Sequence, residues 1–387
     1  MRSALLLCML LWGGFVCAEE ERTGWSFGGA VRFNYHQNDY TAGYGGRGKL
    51  DFDTARINVD YRDGAFVASA EYRYYRSRAA KDGRFVQRFG GDSEDTHFLR
   101  HAWLGWRAGG DEFQAGLNKM PFGALPFASH SYFFQLPYYA GLEDAYNLGL
   151  KYEASRGDWR AHLAFYLRPG PDGHGQSKDS ARYTYNVVET DASGNRERNT
   201  AVARLARVVR HGAQASTEIG LSVLAGEVPD RLSDKTGRRW AAALHAQGNY
   251  GRWGLKLEAI RYRYRLKSAE DKVVTMGAYD APYEVAAAGT FLVAGLSYRL
   301  PVNRGPLETV TLYFDWSMLH KDTGRFPHSR QNLIGAAWTL GNWLVYTDLG
   351  FGKHHPFLGP DYGTALGRGG NDEWHRRFNI NIGFYFY

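Results

Sequence analysis

The side chains in this chain that could do chemistry are cations and carboxylates set at two-residue spacing. Arg32, Arg56, Arg73, Arg107, Lys151, Arg160, Arg168, Arg239, Lys256 and Arg299 each fall opposite an apolar row in a run of alternating residues. Arg261, Arg263 and Arg265 are expected to join them, because the run from 252 to 265 reads as slipping phase at Ile260, as a β-bulge would cause. Acids at the same phase are fewer: Asp60, Glu71, Glu153, Glu218, Glu258, Asp315 and Asp348. Were such rows to line a water-filled lumen, basic rings would favour anions and mixed signs would set a transverse field across a constriction. Any lumen also collects charges that are unable to face lipid, so the pattern favours anions only modestly.

Other chemistries find less support. No G-x-S-x-G, H-E-x-x-H or acidic calcium loop occurs, and no nucleophile stands with its base, so no enzyme is expected. His97 and His101 read onto one strand face and His354-His355 into a loop, without a third ligand at zinc spacing. No metal or other cofactor is therefore expected. Gly43, Gly45 and Gly48 satisfy G-x-G-x-x-G, but residues 50–61 that follow alternate as a strand and do not open a helix. No long basic run concentrates the charge, which argues against nucleic acid.

Period-two alternation is the element that positions these charges. Trp25, Phe27, Gly29, Val31, Phe33 and Tyr35 alternate with Ser26, Gly28, Ala30, Arg32, Asn34 and His36, and comparable runs recur to the last one, near 375–387. Sixteen candidate strands result. Arg100 breaks the phase of the run at 96–107, and the sequence offers no reason for it. Short connections near 62–64, 108–110, 155–157, 210–212, 250–251, 301–306 and 341 alternate with long ones near 36–49, 77–95, 119–144, 169–198, 225–238, 266–284, 319–328 and 353–374. A closed antiparallel meander with tight turns on one rim and long loops on the other gives this pattern, whereas a soluble sandwich has no reason to segregate loop lengths. The fold class is therefore all-β, a single transmembrane β-barrel over residues 19–387. Loop 169–198, charged and holding Gly and Ser, is expected to be loose.

Compartment and composition fit that reading. Residues 1–18 look like a secretory signal, with Arg2, an apolar stretch at 4–15 and Val16-Cys17-Ala18 as cleavage site. Val16 fits a lipobox poorly, so a lipoprotein at Cys17 is the lesser reading. Cys8 and Cys17 both fall in this segment, leaving no disulfide or thiolate site beyond it. Removing Arg2 takes Lys+Arg from 47 to 46 against 40 Asp+Glu, a net charge of +6. Mean hydropathy of −0.46 does not argue against a barrel, whose strands average lipid-facing and lumen-facing residues. Aromatics at 15% and 47 glycines suit interfacial girdles and tight turns.

Residues 119–144 differ from every other long connection. Pro121, Pro126 and Pro137 exclude them from a sheet interior, and their aromatic content suits a loop packed against something. This third long loop is expected to fold into the lumen and narrow it, with Lys119, Tyr132, Phe133, Phe134, Tyr138 and Tyr139 at the constriction. The rings would serve as a stacking track for sugars or aromatic acids, or simply wedge the loop against the wall.

At Gly116-Leu117-Asn118-Lys119-Met120-Pro121-Phe122-Gly123 the sequence resembles the phosphate-selective porin O and P family, and Tyr138 to Asp144 and Gly149-Leu150-Lys151-Tyr152 are similar too. The resemblance implies a homotrimeric channel in the Gram-negative outer membrane, sixteen strands per subunit, loop three inside, and small anionic or polar solutes. In that family arginines and lysine line the constriction; here residues 120–142 hold no Arg or Lys, so Lys119 and the wall must supply the charge. The reading from another class is a plugged barrel acting as a surface receptor or adhesin.

Overall fold

The computed structural model describes residues 23–41, 48–76, 78–81, 84–87, 95–177, 179–191, 193–268 and 271–387. The expected signal segment and most of the glycine-rich loop at 43–48 lie outside these residues. Sixteen antiparallel strands close into a barrel, each hydrogen-bonded to its sequence neighbour in the wall and the last to the first. They are β1 (Gly24–Asn38), β2 (Lys49–Asp63), β3 (Phe66–Tyr75), β4 (Thr96–Ala108), β5 (Asp111–Lys119), β6 (Tyr146–Arg156), β7 (Trp159–Pro169) and β8 (Arg198–Gly212). There follow β9 (Ala215–Asp230), β10 (Lys235–Tyr250), β11 (Trp253–Arg265), β12 (Ala288–Arg304), β13 (Leu307–Lys321), β14 (Ser329–Leu340), β15 (Trp343–Lys353) and β16 (His375–Phe386). The seam runs from Gly29 opposite Phe386 to Asn38 opposite Arg377. Closure leaves no unpaired edge, which is what a strand in hydrocarbon requires.

Alternation sorts the residues as the sequence implies. Phe27, Leu104, Leu150, Leu163, Leu244 and Ile334 stand exposed on the outer wall, whereas Asn34, Glu71, Gln114, Lys151, Ser222 and Asp315 are buried inside. Near the tight-turn rim, outward rings meet across strands: Trp25 with Tyr61, Phe66 with Trp106, Phe113 with Tyr152, Trp253 with Tyr298 and Trp343 with Phe384. Such a ring of aromatics belongs at a membrane–water boundary.

Four sequence expectations need correction. The connection expected at 225–238 is a turn at 231–234, because β9 and β10 continue as a ladder to Asp230 opposite Lys235. The run in β11 has no bulge: its register against β10 is unbroken from Arg238–Arg265 to Tyr250–Trp253. Ile260, Tyr262 and Tyr264 are therefore the buried, inward residues, and Arg261, Arg263 and Arg265 face outward. A bulge does exist in β7, where Leu148 pairs with Arg168 and the next residue, Gly149, with Tyr166; this turns Arg168 to the outer face beside Leu148. Another in β4 makes Arg100 the extra residue, since Glu71 pairs with His101 and Tyr72 with Leu99. That explains the broken phase, and it places His97 outward beside Tyr74 while His101 faces inward beside Ser69.

The long loops do not simply stand in solvent. We number them L1 to L8 in chain order. β5 stops at Lys119, so L3 leaves the wall early and β4 lacks a neighbour above that level. Loop L4 fills this gap: His97 and His174 exchange backbone hydrogen bonds at 3.1 and 2.8 Å. L4 is thus folded and not loose. Its residues Arg182, Tyr183, Thr184, Tyr185 and Asn186 are buried, and Asn186–Val187 adds a strand to the L6 hairpin formed by Val273–Ala278 and Ala281–Ala286. L8 joins the same layer through parallel contact between Leu366 and Val285.

Candidate functional site

A proline-containing loop satisfies few of its own backbone groups, and each one left unpaired away from water carries a penalty. L3 finds its partners on the polar inner wall. The Gly123 amide donates to Ser222 Oγ (3.1 Å) and the Ala124 amide to Glu258 Oε1 (2.9 Å). Arg204 Nε donates to the Gly123 carbonyl (2.9 Å), Gln247 Nε2 to that of Leu125 (2.8 Å), and Lys256 Nζ to those of Phe127 and Ser129 (2.9 and 2.8 Å). Asp315 Oδ2 accepts from the amides of His130 and Ser131 at 2.7 and 3.0 Å. Farther on, Tyr132 Oη reaches Asp53 on β2, Gln331 donates to the Phe134 carbonyl, and the Leu136 amide donates to Ser317. The loop thus contacts the wall from β8 and β9 round to β14 and, across the seam, β2. It returns through a 3-10 turn at Leu136–Ala140 that ends at Gly141, whose φ of +67° suits glycine.

At the foot of L3 lies a dense charge cluster. Glu71 on β3 meets Arg56 (3.3 Å), Arg73 and Arg100 (3.4 Å). Asp144, the second last residue of L3, accepts from Arg100 (2.9 Å), Lys119, Tyr146 (3.2 Å) and Tyr183 (2.6 Å). Burial alone would raise the Asp144 pKa, but Arg100 and Lys119 outweigh it and hold the carboxyl well below the usual range. Four cations thus share two carboxylates, a local excess of two positive charges. Side chains of Arg56, Arg100 and Lys119 remain 12–20% accessible, so water reaches this wall. Glu143, next door, behaves oppositely. Burial and then repulsion from Glu258 push its pKa well up, and it accepts the Ala128 amide at 2.8 Å.

Above the cluster, L3, L4, L6 and L8 pack ring on ring. Tyr138 stacks on Phe134 at 3.9 Å between centroids and touches Tyr139, Tyr183 and Tyr185. Tyr279, Tyr283 and Tyr362 extend the cluster, and Arg73 and Arg100 lie over Tyr183 at 4.7 and 4.9 Å. Each tyrosine here is buried. Of the six residues expected at the constriction, Phe133, Tyr138 and Tyr139 are therefore packed against protein. Lys119, Tyr132 and Phe134 keep partial access to solvent.

The expected lumen cations divide. Arg32 pairs with Asp53 (3.1 Å), Lys151 with Glu153 (2.6 Å) and Arg239 with Glu197 (2.8 Å), all inside the barrel. Arg107, beside Glu112, and Arg160, bonded to the Gly157 and Trp159 carbonyls, sit at the tight-turn rim, and Arg299 shares the inward phase with Ser297 near that rim. Arg168 does not join them. Sequence reading missed Arg100, Arg204 and Asp144 as members of the site. The phase break at Arg100 was the available signal; Arg204 alternates with Ala203 and Leu205 in a run too weak to assign.

No family model matches the chain, and no curated protein matches its sequence. Solved structures do. The outer-membrane channel DcaP of Acinetobacter baumannii superposes with a TM-score of 0.57 at 13% identity, over 94% of this chain and 97% of that one. The fold is that of an outer-membrane porin barrel. The anion-selective porin from Comamonas acidovorans matches with a TM-score of 0.57 at 13% identity, over 94% of this chain and all of its own. OmpF of Salmonella typhi gives 0.57 at 12% identity, over 94% and 97%. At these identities the likeness concerns the porin fold alone.

Proposed function

We propose that this chain is an outer-membrane channel, exported by its N-terminal signal and acting as a homotrimer, through which small polar solutes diffuse passively with a modest preference for anions. It works without a cofactor and without catalysing a reaction. The observation that carries the reading is L3, held inside the barrel by wall side chains with a four-to-two excess of cations at its foot. A solute passing L3 meets the partly accessible guanidinium groups of Arg56 on β2 and Arg100 on β4, whereas the acids of the far wall are covered: Asp315 on β13 lies under the L3 amides it accepts from, and Asp348 on β15 under Tyr313. That accessible excess of cations lets small anions compete with cations. Phosphate-type anions fit the arginine wall, as the resemblance to phosphate-selective porins implies. Sugars or aromatic acids fit less well, since most expected stacking rings are taken up in packing. Purified protein in planar bilayers tests the reading: stepwise conductance with an anion-leaning reversal potential is expected. A cation-leaning potential would remove the preference, and silence under all conditions would remove the channel.

A second reading is favoured by the tyrosine cluster, which joins four loops over the mouth. A barrel plugged there would serve as a surface receptor or adhesin. Deleting 124–142 separates the two, since a constriction loop predicts larger conductance and a receptor plugged by L4, L6 and L8 predicts none.

A further inference from the structure

Three arginines that alternate along β11 face away from the lumen. Arg261, Arg263 and Arg265 share their side of the wall with Ala242, Trp240 and Arg238 of β10, their cross-strand partners. Below them on the same face lie Ala259, Leu257, Leu255 and Trp253, opposite Leu244, Ala246, Gly248 and Tyr250. Trp253 to Arg263 is ten residues. At ~3.3 Å per residue and a tilt of about 40°, this is a height of roughly 25 Å, the thickness of a barrel's apolar band. Trp253 and Trp240 then mark its two boundaries, with Arg263 level with the upper one, Arg265 beyond it and Arg261 about 5 Å inside, within reach of the interface for a long side chain.

Arg198, paired with Glu227 on β8 and β9, extends the patch, since Glu227 pairs in register with Arg238. Asp322 accepts from both Arg261 and Arg263. Among the described residues of this patch, five guanidinium groups stand against two carboxylates. Side chains of Arg261 and Arg263 are each 41% accessible. Charge of this excess facing hydrocarbon would be strongly unfavourable, and its level lets the long side chains reach the headgroups instead.

We propose that this outer-wall patch binds the phosphate groups of an anionic lipid in the leaflet on the long-loop side. The guanidinium fork matches phosphate oxygens in pairs, and the apolar face directly below accepts the acyl chains. That continuity selects a lipid over free phosphate. The inference rests on the membrane placement proposed above, not on conduction.

The test is native mass spectrometry of detergent-solubilised protein with a bis-phosphorylated glycolipid, its dephosphorylated form, and inorganic phosphate. The full chain should bind the phosphorylated lipid selectively. At roughly fivefold per basic residue near an anionic surface, Arg263→Gln with Arg265→Gln should weaken it about thirtyfold. Arg210→Gln on the opposite rim should not, and the double variant should keep native heat-modifiable migration and unitary conductance. Equal binding of the dephosphorylated lipid, displacement by millimolar inorganic phosphate, or a double variant binding as the parent would each overturn the proposal. Lack of conductance in every form with selective lipid binding intact would count against the channel reading alone.

Discussion

Replacing Asp144 by Asn probes the foot of L3 with little change of shape. Its φ of +47° is one that Asn tolerates, so the backbone stays in place. What changes is charge: Arg100 and Lys119 lose the carboxylate they share, and the local excess rises from two to three. Breaking a fully buried pair costs about 3–5 kcal/mol. Here Arg100 keeps Glu71 and Lys119 keeps the Pro126 carbonyl, and both retain some water, so about 2 kcal/mol is expected. On permeation, one unit charge at about 5 Å in water is worth roughly 0.8 kcal/mol, reduced to about 0.5 by 0.1 M salt. Entry of anions should rise about twofold and that of cations fall about as much, so the permeability ratio should move about fourfold toward anions. Reversal potentials in a KCl gradient measure this, and thermal melts measure the stability loss. Tyr183→Phe, which removes one hydrogen bond to Asp144 and no charge, should lower stability slightly and leave the ratio alone. An Asp144→Asn channel with unchanged or more cation-leaning potential would show that the charge at the foot of L3 does not act on permeating ions.

Glu143→Gln should remove a penalty that grows with pH. The folded-state pKa is raised, so the wild type loses stability as pH rises above the ordinary glutamate value, and the variant should melt higher by pH 9 with little difference at pH 4; equal pH slopes would contradict this. Gly123→Ala should loosen L3, because φ is +69° there and a Cβ would lie 2.0 Å from Glu258 Oε1. The left-handed strain alone is about 1–2 kcal/mol, and protease cutting inside 120–140 should appear where the parent resists. Arg204→Ala should free the Gly123 carbonyl and take the guanidinium from Glu218, which keeps only Gln247 and His245, lowering stability by about 1–3 kcal/mol and raising conductance noise; a quiet, equally stable channel would show that Arg204 does not anchor the loop.

Strand existence and inward phase were legible because a wall between lipid and water forces period two on every strand. The failures have physical reasons. Ile260, Tyr262 and Tyr264 look lipid-facing by polarity, but the loops packed into this lumen make part of its inner wall apolar, so the polarity rule inverts there. Bulges at Arg100 and Leu167 shift phase by one residue, and a single sequence shows such a slip only where the flanking residues alternate cleanly. L3 was legible from its prolines and rings, yet its partners were not. Tyr183 and Arg100 reach Asp144 from 39 and 44 residues away, and such contacts are set by closure of the barrel. The composition of L4 suggested a loose loop, because nothing in its charges reveals that β5 ends early and leaves a gap for it to fill.

If L3 sets the passage, deletion of residues 124–142 will show it in single-channel recordings. A channel narrowed by this loop should open wider, with unitary conductance rising severalfold while the barrel keeps its heat-modifiable migration. A folded deletion variant whose conductance equals that of the parent would show that L3 does not limit the passage.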